Sequence, residues 1–326
     1  MRELIMNTSL LARVPVWPRP APASELRLTY AIAPPSRKLL PERRRAIAAA
    51  QSARIASLPI DALLVYDVQD ETLRNERPRP FPFSAKIDPL TYAFEELELG
   101  SLPRVVYRAV ADQDEGSLLT WLTRLSKLGA RAVLVGAPSR SAQARLTLSD
   151  AWELRRTHVP HLPLGGVVIA ERHVGLGSED ARLLMKTERG CGFFVSQTVW
   201  SPRSMGALLR DLRRAHRAAQ SSHGSAPSPL PQILVTLSPC GSKQTLEFLE
   251  WLGVHIAPEI RAELLAAPDM LARSVELAMA IYSELRALAV DLGLSLGWNI
   301  ESVSTRKEEV DAAVELLQRI AQREAR

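Results

Sequence analysis

Cysteine is scarce in this chain of 326 residues. The two present, Cys191 and Cys240, are too few for a disulfide framework and lack the paired spacing of a zinc site. No apolar run approaches the roughly 20 residues that cross a bilayer, so no membrane partner is expected. Glycine-rich phosphate loops are missing too. No Gly-x-Gly-x-x-Gly follows an early strand, and no Gly-Lys-Ser/Thr triplet closes a phosphate loop. Aromatic residues make up 5% of the chain and are not interleaved with basic ones on a strand, which sets aside nucleic-acid modules. Neither Ser196 nor Cys240 sits in the context of an activated nucleophile. His173 with Glu71 and Glu171 makes only a weak ligand set, so no metal is assigned.

What the chain does have is apolar content, at 46%, enough for a large core. The net charge of +5 comes from arginines scattered over helix patterns, with clusters at Arg43–Arg45 and Arg210–Arg217. These read as solvated faces, and any surplus suits a phosphate-bearing or polyanionic small ligand. Residues 1–26 are broken by Arg and Pro, lack a signal-peptide core and read as a flexible arm. A cytoplasmic location is expected.

From there to the end, strand and helix patterns alternate without a break in composition. Strands are expected at Leu28–Ala33, Asp61–Tyr66, Arg104–Val110, Arg131–Val135, about Val167–Ile169, Phe193–Thr198, Ile233–Leu237 and Ser295–Asn299. Helix formers at three- and four-residue spacing follow each, among them Pro41–Ser57, Glu115–Leu128, Leu148–Thr157, Pro202–Ala219, Ser242–Leu252, Asp269–Leu292 and Thr305–Arg323. Residues 220–231, rich in Ser and Pro, read as a surface insertion. Eight such units in residues 27–326 predict an α/β fold, a single (β/α)8 TIM barrel, over a doubly wound open sheet.

In such a barrel the chemistry sits at the carboxyl ends of the strands. Strand two offers Tyr66, Asp67, Gln69, Asp70 and Glu71; strand three Tyr107 and Arg108; strand five Glu171, Arg172 and His173. Strand six offers Gln197 and Trp200, strand seven Ser238 and Cys240, and strand eight Trp298, Asn299 and Glu301. Acids, one histidine, an amide and two indoles suit a flat heteroaromatic ligand, with aromatic faces for stacking and an amide for a bidentate ring-edge contact. The stretch Gly165–Trp200 is densest in candidates: a strand, the polar run Glu171-Arg172-His173 read as a loop, a helix from Ser178, and a strand carrying Gln197.

That stretch resembles the methylenetetrahydrofolate reductase family. The likeness runs through Glu171-Arg172-His173, Lys186, Gly190-Cys191-Gly192 and Phe194-Val195-Ser196-Gln197, and again at Gly253 to Pro258. The resemblance implies a barrel that takes a reduced folate as its small-molecule partner and reduces 5,10-methylenetetrahydrofolate to 5-methyltetrahydrofolate. It places Gln197 and Trp298 against the substrate and Tyr66, His173, Glu179 and Lys186 against the cofactor, NAD(P)H and in most members FAD. Self-association is left open.

Departures from the family pattern are specific. The catalytic acid of its first strand aligns with Ala31, and the Asp closing its fourth strand with Ala137. The flavin-facing tyrosine of strand five becomes Ile169, and that of strand eight Trp298. Opening the folate imidazolidine ring needs a proton donor, and alanine is none. Glu71, or failing it Glu171, is the expected substitute, and the reduced flavin contacts open, beside FAD, a second possibility, direct binding of NAD(P)H without it. The competing reading is a folate-binding barrel without reductase activity, serving a regulatory or specialised role.

Overall fold

The computed structural model describes residues 25–71, 77–137, 144–222 and 230–325. Most of the predicted arm therefore lies outside the described residues, as does 223–229 of the predicted insertion. Eight parallel strands close into a barrel in sequence order: β1 (Leu28–Ile32), β2 (Ala62–Val65), β3 (Arg104–Ala109), β4 (Arg131–Val135), β5 (Leu164–Val168), β6 (Cys191–Thr198), β7 (Gln232–Leu237) and β8 (Leu296–Glu301), which pairs back onto β1. Parallel neighbours need a crossover, and helices supply it. They are α1 (Pro41–Ala56), the short α2 (Pro89–Thr91) running into a π-helical turn, α3 (Glu115–Lys127), α4 (Leu148–His158), α5 (Ala170–Leu176), α6 (Glu179–Glu188), α7 (Pro202–Ser222), α8 (Lys243–Trp251), α9 (Pro258–Ala266), α10 (Met270–Leu292) and α11 (Lys307–Glu324). The single (β/α)8 barrel expected from the alternation is the fold.

Local chemistry explains where the helices begin. Asp114, Ser242 and Asp269 each accept a first-turn backbone N–H at α3, α8 and α10, and Thr147 with Asp150 forms a capping box on α4. The structure corrects one stretch. Glu171-Arg172-His173, read as a loop, forms the first turns of α5, directly off the end of β5.

Strand alternation sorts side chains into two layers. Ala31, Leu64, Val105, Tyr107, Val133, Val195 and Leu234 face inward and pack together. Tyr30, Leu63, Val65, Val106, Trp298 and Ile300 face outward into the larger core beneath the helices. Leu26, assigned to the arm from sequence, instead closes the floor of the barrel. It is buried, and its backbone N–H and carbonyl are both bonded by the Gln232 amide. Gly297 makes room for it, since a Cβ there would lie 2.1 Å from the Leu26 carbonyl oxygen. We expect Gly297→Ala to destabilise the fold by about 1–3 kcal/mol through this overpacking, read as a lowered denaturation midpoint.

Candidate functional site

The carboxyl end of the barrel is organised by a buried amide. Asn299 on β8 points inward, with no exposed surface. The Thr29 hydroxyl donates to its Oδ1 at 3.0 Å. Its Nδ2 then donates to the Tyr66 hydroxyl at 3.0 Å and to Thr236 Oγ1 at 3.1 Å. Thr236 passes its own proton to the Ser196 carbonyl at 2.7 Å. The Tyr66 hydroxyl accepts from Asn299, so its proton is left to donate, and it is hydrogen-bonded to the Glu301 carboxyl.

Glu301 ends β8 on the inward face. Burial pushes its carboxyl from the ordinary range up to about 7, and the bond from Tyr66 holds it from rising further. The Tyr107 ring stands edge-on to Tyr66, with centroids 4.8 Å apart. Burial, reinforced by the neighbouring Glu301 charge, holds both phenols well above their usual range, so they stay neutral. In the β1–β8 register Glu301 lies directly beside Ala31.

A strap covers this part of the rim. Arg37 N–H donates to the Ala85 carbonyl at 3.0 Å, and Ser36 bridges Lys86, tying the segment before α2 to the loop after β1. Its other end lies on α8, where Trp251 Nε1 donates to the Arg77 carbonyl at 2.8 Å and Gln244 to that of Pro80 at 2.9 Å. Between them the Arg79 guanidinium sits 5.2–5.4 Å from the rings of Phe83, Phe248 and Trp251. The strap thus spans from the loop after β1 to the helix after β7.

On the far side of the mouth are Gln197 and Glu171. A register shift between Val195 and Thr198 re-aims the end of β6, and Gln197 Nε2 donates to the Leu252 carbonyl at 3.0 Å. This occupies one of its two N–H donors; a bidentate contact uses the other with the amide oxygen. Glu171 opens α5, with Oε1 buried and lacking a hydrogen bond. Burial raises its carboxyl, opposed by the nearby His255 on the α8–α9 loop.

The other predicted residues are placed elsewhere. Trp298 is one residue out of phase with Asn299 and Glu301; it faces outward and packs on Tyr282 of α10, centroids 4.6 Å apart. It is a packing residue, not a wall of the mouth. His173 lies between helices, with Nε2 3.0 Å from Asp211 on α7 and Nδ1 3.6 Å from Asp180 on α6. Glu179 accepts from the Ile169 N–H at 3.2 Å, and Lys186 donates to the Val167 carbonyl at 2.6 Å above the Phe194 ring. Burial lowers the Lys186 ammonium pKa, against the pull of Glu179. Three of the four residues assigned to a cofactor are thus engaged in the helix layer around β5, and only Tyr66 reaches the mouth. The described residues do not assemble the flavin cradle that the resemblance implies. Glu71 sits on the loop after β2, within electrostatic reach of Arg79. Among the described residues no cluster of metal-ligating side chains forms.

No family model matches the chain, and no curated protein matches it. A solved structure does. An uncharacterised protein from Clostridium thermocellum, named as binding two copies of 5-methyl-5,6,7,8-tetrahydrofolic acid, is 32% identical, with a TM-score of 0.78 over 91% of this chain and 95% of its own. The chain belongs to the family of that protein. A second structure, named as a deoxyribose-phosphate aldolase from Toxoplasma gondii ME49, aligns over 91% of this chain and 90% of its own at 12% identity and a TM-score of 0.40, too distant to carry an argument.

Glu301 stands among the strand-eight candidates of the sequence without a role there, the expected acids being Glu71 and Glu171. A strand ending at Asn299 leaves it in a loop, whereas β8 continues through it. The signal was in the alternation: Leu296, Trp298 and Ile300 are apolar, and Asn299 and Glu301 between them are polar. Its raised carboxyl also bears on stability. The folded state holds the Glu301 proton more tightly than the unfolded one, so this group favours folding below the ordinary carboxyl range, and the advantage is lost as pH rises to about 7. We expect Glu301→Gln to raise Tm relative to wild type at pH 8 and to leave it little changed at pH 4, measured by thermal denaturation.

Proposed function

We propose that the mouth of this barrel binds a reduced folate and that the protein reduces 5,10-methylenetetrahydrofolate to 5-methyltetrahydrofolate with NAD(P)H. The observation that carries this reading is a protonatable carboxyl, Glu301, held beside an aromatic pair in a barrel 32% identical to one named for binding methyltetrahydrofolate. The groups suit a pterin. Gln197 supplies an amide at the rim, Tyr66 and Tyr107 supply flat neutral walls with hydroxyl donors, and the strap from Arg77 to Lys86 limits water at one side.

Reduction makes one further demand. The methylene carbon is bonded to two ring nitrogens, and it becomes a hydride acceptor once one of them is protonated and released. Ala31 carries no proton, and the mouth supplies carboxyls with raised affinity for one. A specific feature favours a second reading, a folate-binding barrel without reductase activity: both positions where the resemblance calls for carboxylates are alanines, Ala31 and Ala137.

Calorimetric titration with 5-methyltetrahydrofolate tests binding, and we expect Gln197→Ala to weaken it by about 10-fold, the effect of losing a buried ring-edge contact. Oxidation of NAD(P)H dependent on methylenetetrahydrofolate tests the reaction. Tight folate binding with no NAD(P)H oxidation would establish the second reading, and no folate binding would overturn both. The purified protein is expected to lack flavin absorbance and to turn over without added FAD.

A further inference from the structure

The reductase reading leaves open which group delivers the proton. Three carboxyls compete, and their surroundings differ. Glu71 lies out on the loop after β2, beyond the end of the strand and within electrostatic reach of the Arg79 guanidinium. Glu171 opens a helix outside the strand ends, near His255. Glu301 is within the barrel wall itself, on the strand paired to β1 and at the level of Ala31. Neighbouring strands lie about 4.8 Å apart, so a glutamate on β8 reaches the space a glutamate on β1 would serve.

We propose that Glu301 is the catalytic acid of this barrel, carried on β8 in place of the residue missing at Ala31, and that Tyr66 is its positioning residue. This rests on the reductase reading. Glu301 gives its proton to the folate ring nitrogen that shares the methylene carbon; that carbon–nitrogen bond breaks and its electron pair stays on the nitrogen. The iminium left on the other nitrogen takes a hydride from reduced nicotinamide, forming the methyl group and oxidised nicotinamide. Solvent returns the proton to Glu301.

The surroundings suit the task. Asn299 donates to the Tyr66 hydroxyl, so the Tyr66 proton is directed to Glu301. The titratable groups facing Glu301 are Tyr66 from β2 and Tyr107 from β3, with Tyr30 of β1 within electrostatic reach. All three are neutral phenols, and among the described residues Glu301 has no ion pair. It is therefore free to exist as the acid near neutral pH, which a carboxylate paired with arginine is not.

The test is the pH dependence of kcat for NAD(P)H-dependent reduction of methylenetetrahydrofolate, measured with methyltetrahydrofolate affinity on the same proteins. Wild type should lose activity as pH rises through the Glu301 titration. Glu301→Gln should lower kcat by about 100-fold or more, flatten that limb, and keep methyltetrahydrofolate affinity within a few-fold. Tyr66→Phe removes the bond that restrains the Glu301 pKa, so the limb should move to higher pH; a merely structural Tyr66 would lower kcat without moving it. Glu71→Gln and Glu171→Gln should keep the limb. Wild-type kcat persisting in Glu301→Gln, or a limb that vanishes in Glu171→Gln instead, would overturn the assignment and leave the reductase reading intact. Wild type that binds folate without turnover would overturn both.

Discussion

The hydrogen bonds of Asn299 hold the mouth of this barrel together. A buried amide left unpaired costs about 1–3 kcal/mol per group, so a fully buried asparagine on a barrel strand must find partners on its neighbours. Here it finds them on β1, β2 and β7 at once, through Thr29, Tyr66 and Thr236. These contacts fix the orientation of the amide, and through it the direction in which Tyr66 donates. The state of Glu301 follows: a carboxyl in a low-dielectric site, with a neutral donor and, among the described residues, no ion pair, keeps its proton above the ordinary range.

The rest of the rim is built around that corner. The strap pinned by Arg37, Trp251 and Gln244 runs between the loop after β1 and α8, and the aromatic cluster around Arg79 packs it onto that helix. Across the mouth the irregular end of β6 turns Gln197 towards the α8–α9 loop, which also brings His255 near Glu171. The site is thus asymmetric, with acid and phenols on the β8–β2 side and an amide on the β6 side. A planar ligand with a polar edge and a reacting nitrogen fits such a division. The helix layer around β5 has a separate task. His173, Glu179 and Lys186 tie α5, α6 and α7 to the strand, each through a hydrogen bond to a carboxylate or a backbone group.

Much of this was legible in the sequence. The eight-fold alternation of strand and helix predicts the barrel because each period calls for a different half-buried element, and no break in composition divides them. Tyr66 and Gln197 were readable as well, since polar residues that end apolar strands are drawn to the mouth. For one reason the sequence sets Trp298 at the substrate and leaves Glu301, among the strand-eight candidates, without a role. In a barrel both faces of a strand are buried, so hydrophobicity alone does not say which face is inside, and a strand end misplaced by two residues hides the last inward position. His173 illustrates the opposite limit. A histidine just past a strand end looks functional in sequence, but the turn there continues as α5, and helical rotation carries the ring to the outer layer, where Asp211 waits 38 residues further along.

The account turns on where the acid meets the ligand. A crystal structure with bound 5-methyltetrahydrofolate tests this most directly. The prediction is a pterin in the mouth with a Glu301 carboxyl oxygen at about 2.6–3.2 Å from a ring nitrogen, or joined to it by one water, and with Tyr66 still bonded to Glu301. A folate bound with Glu171 or Glu71 at its nitrogens, and Glu301 facing away, would contradict it.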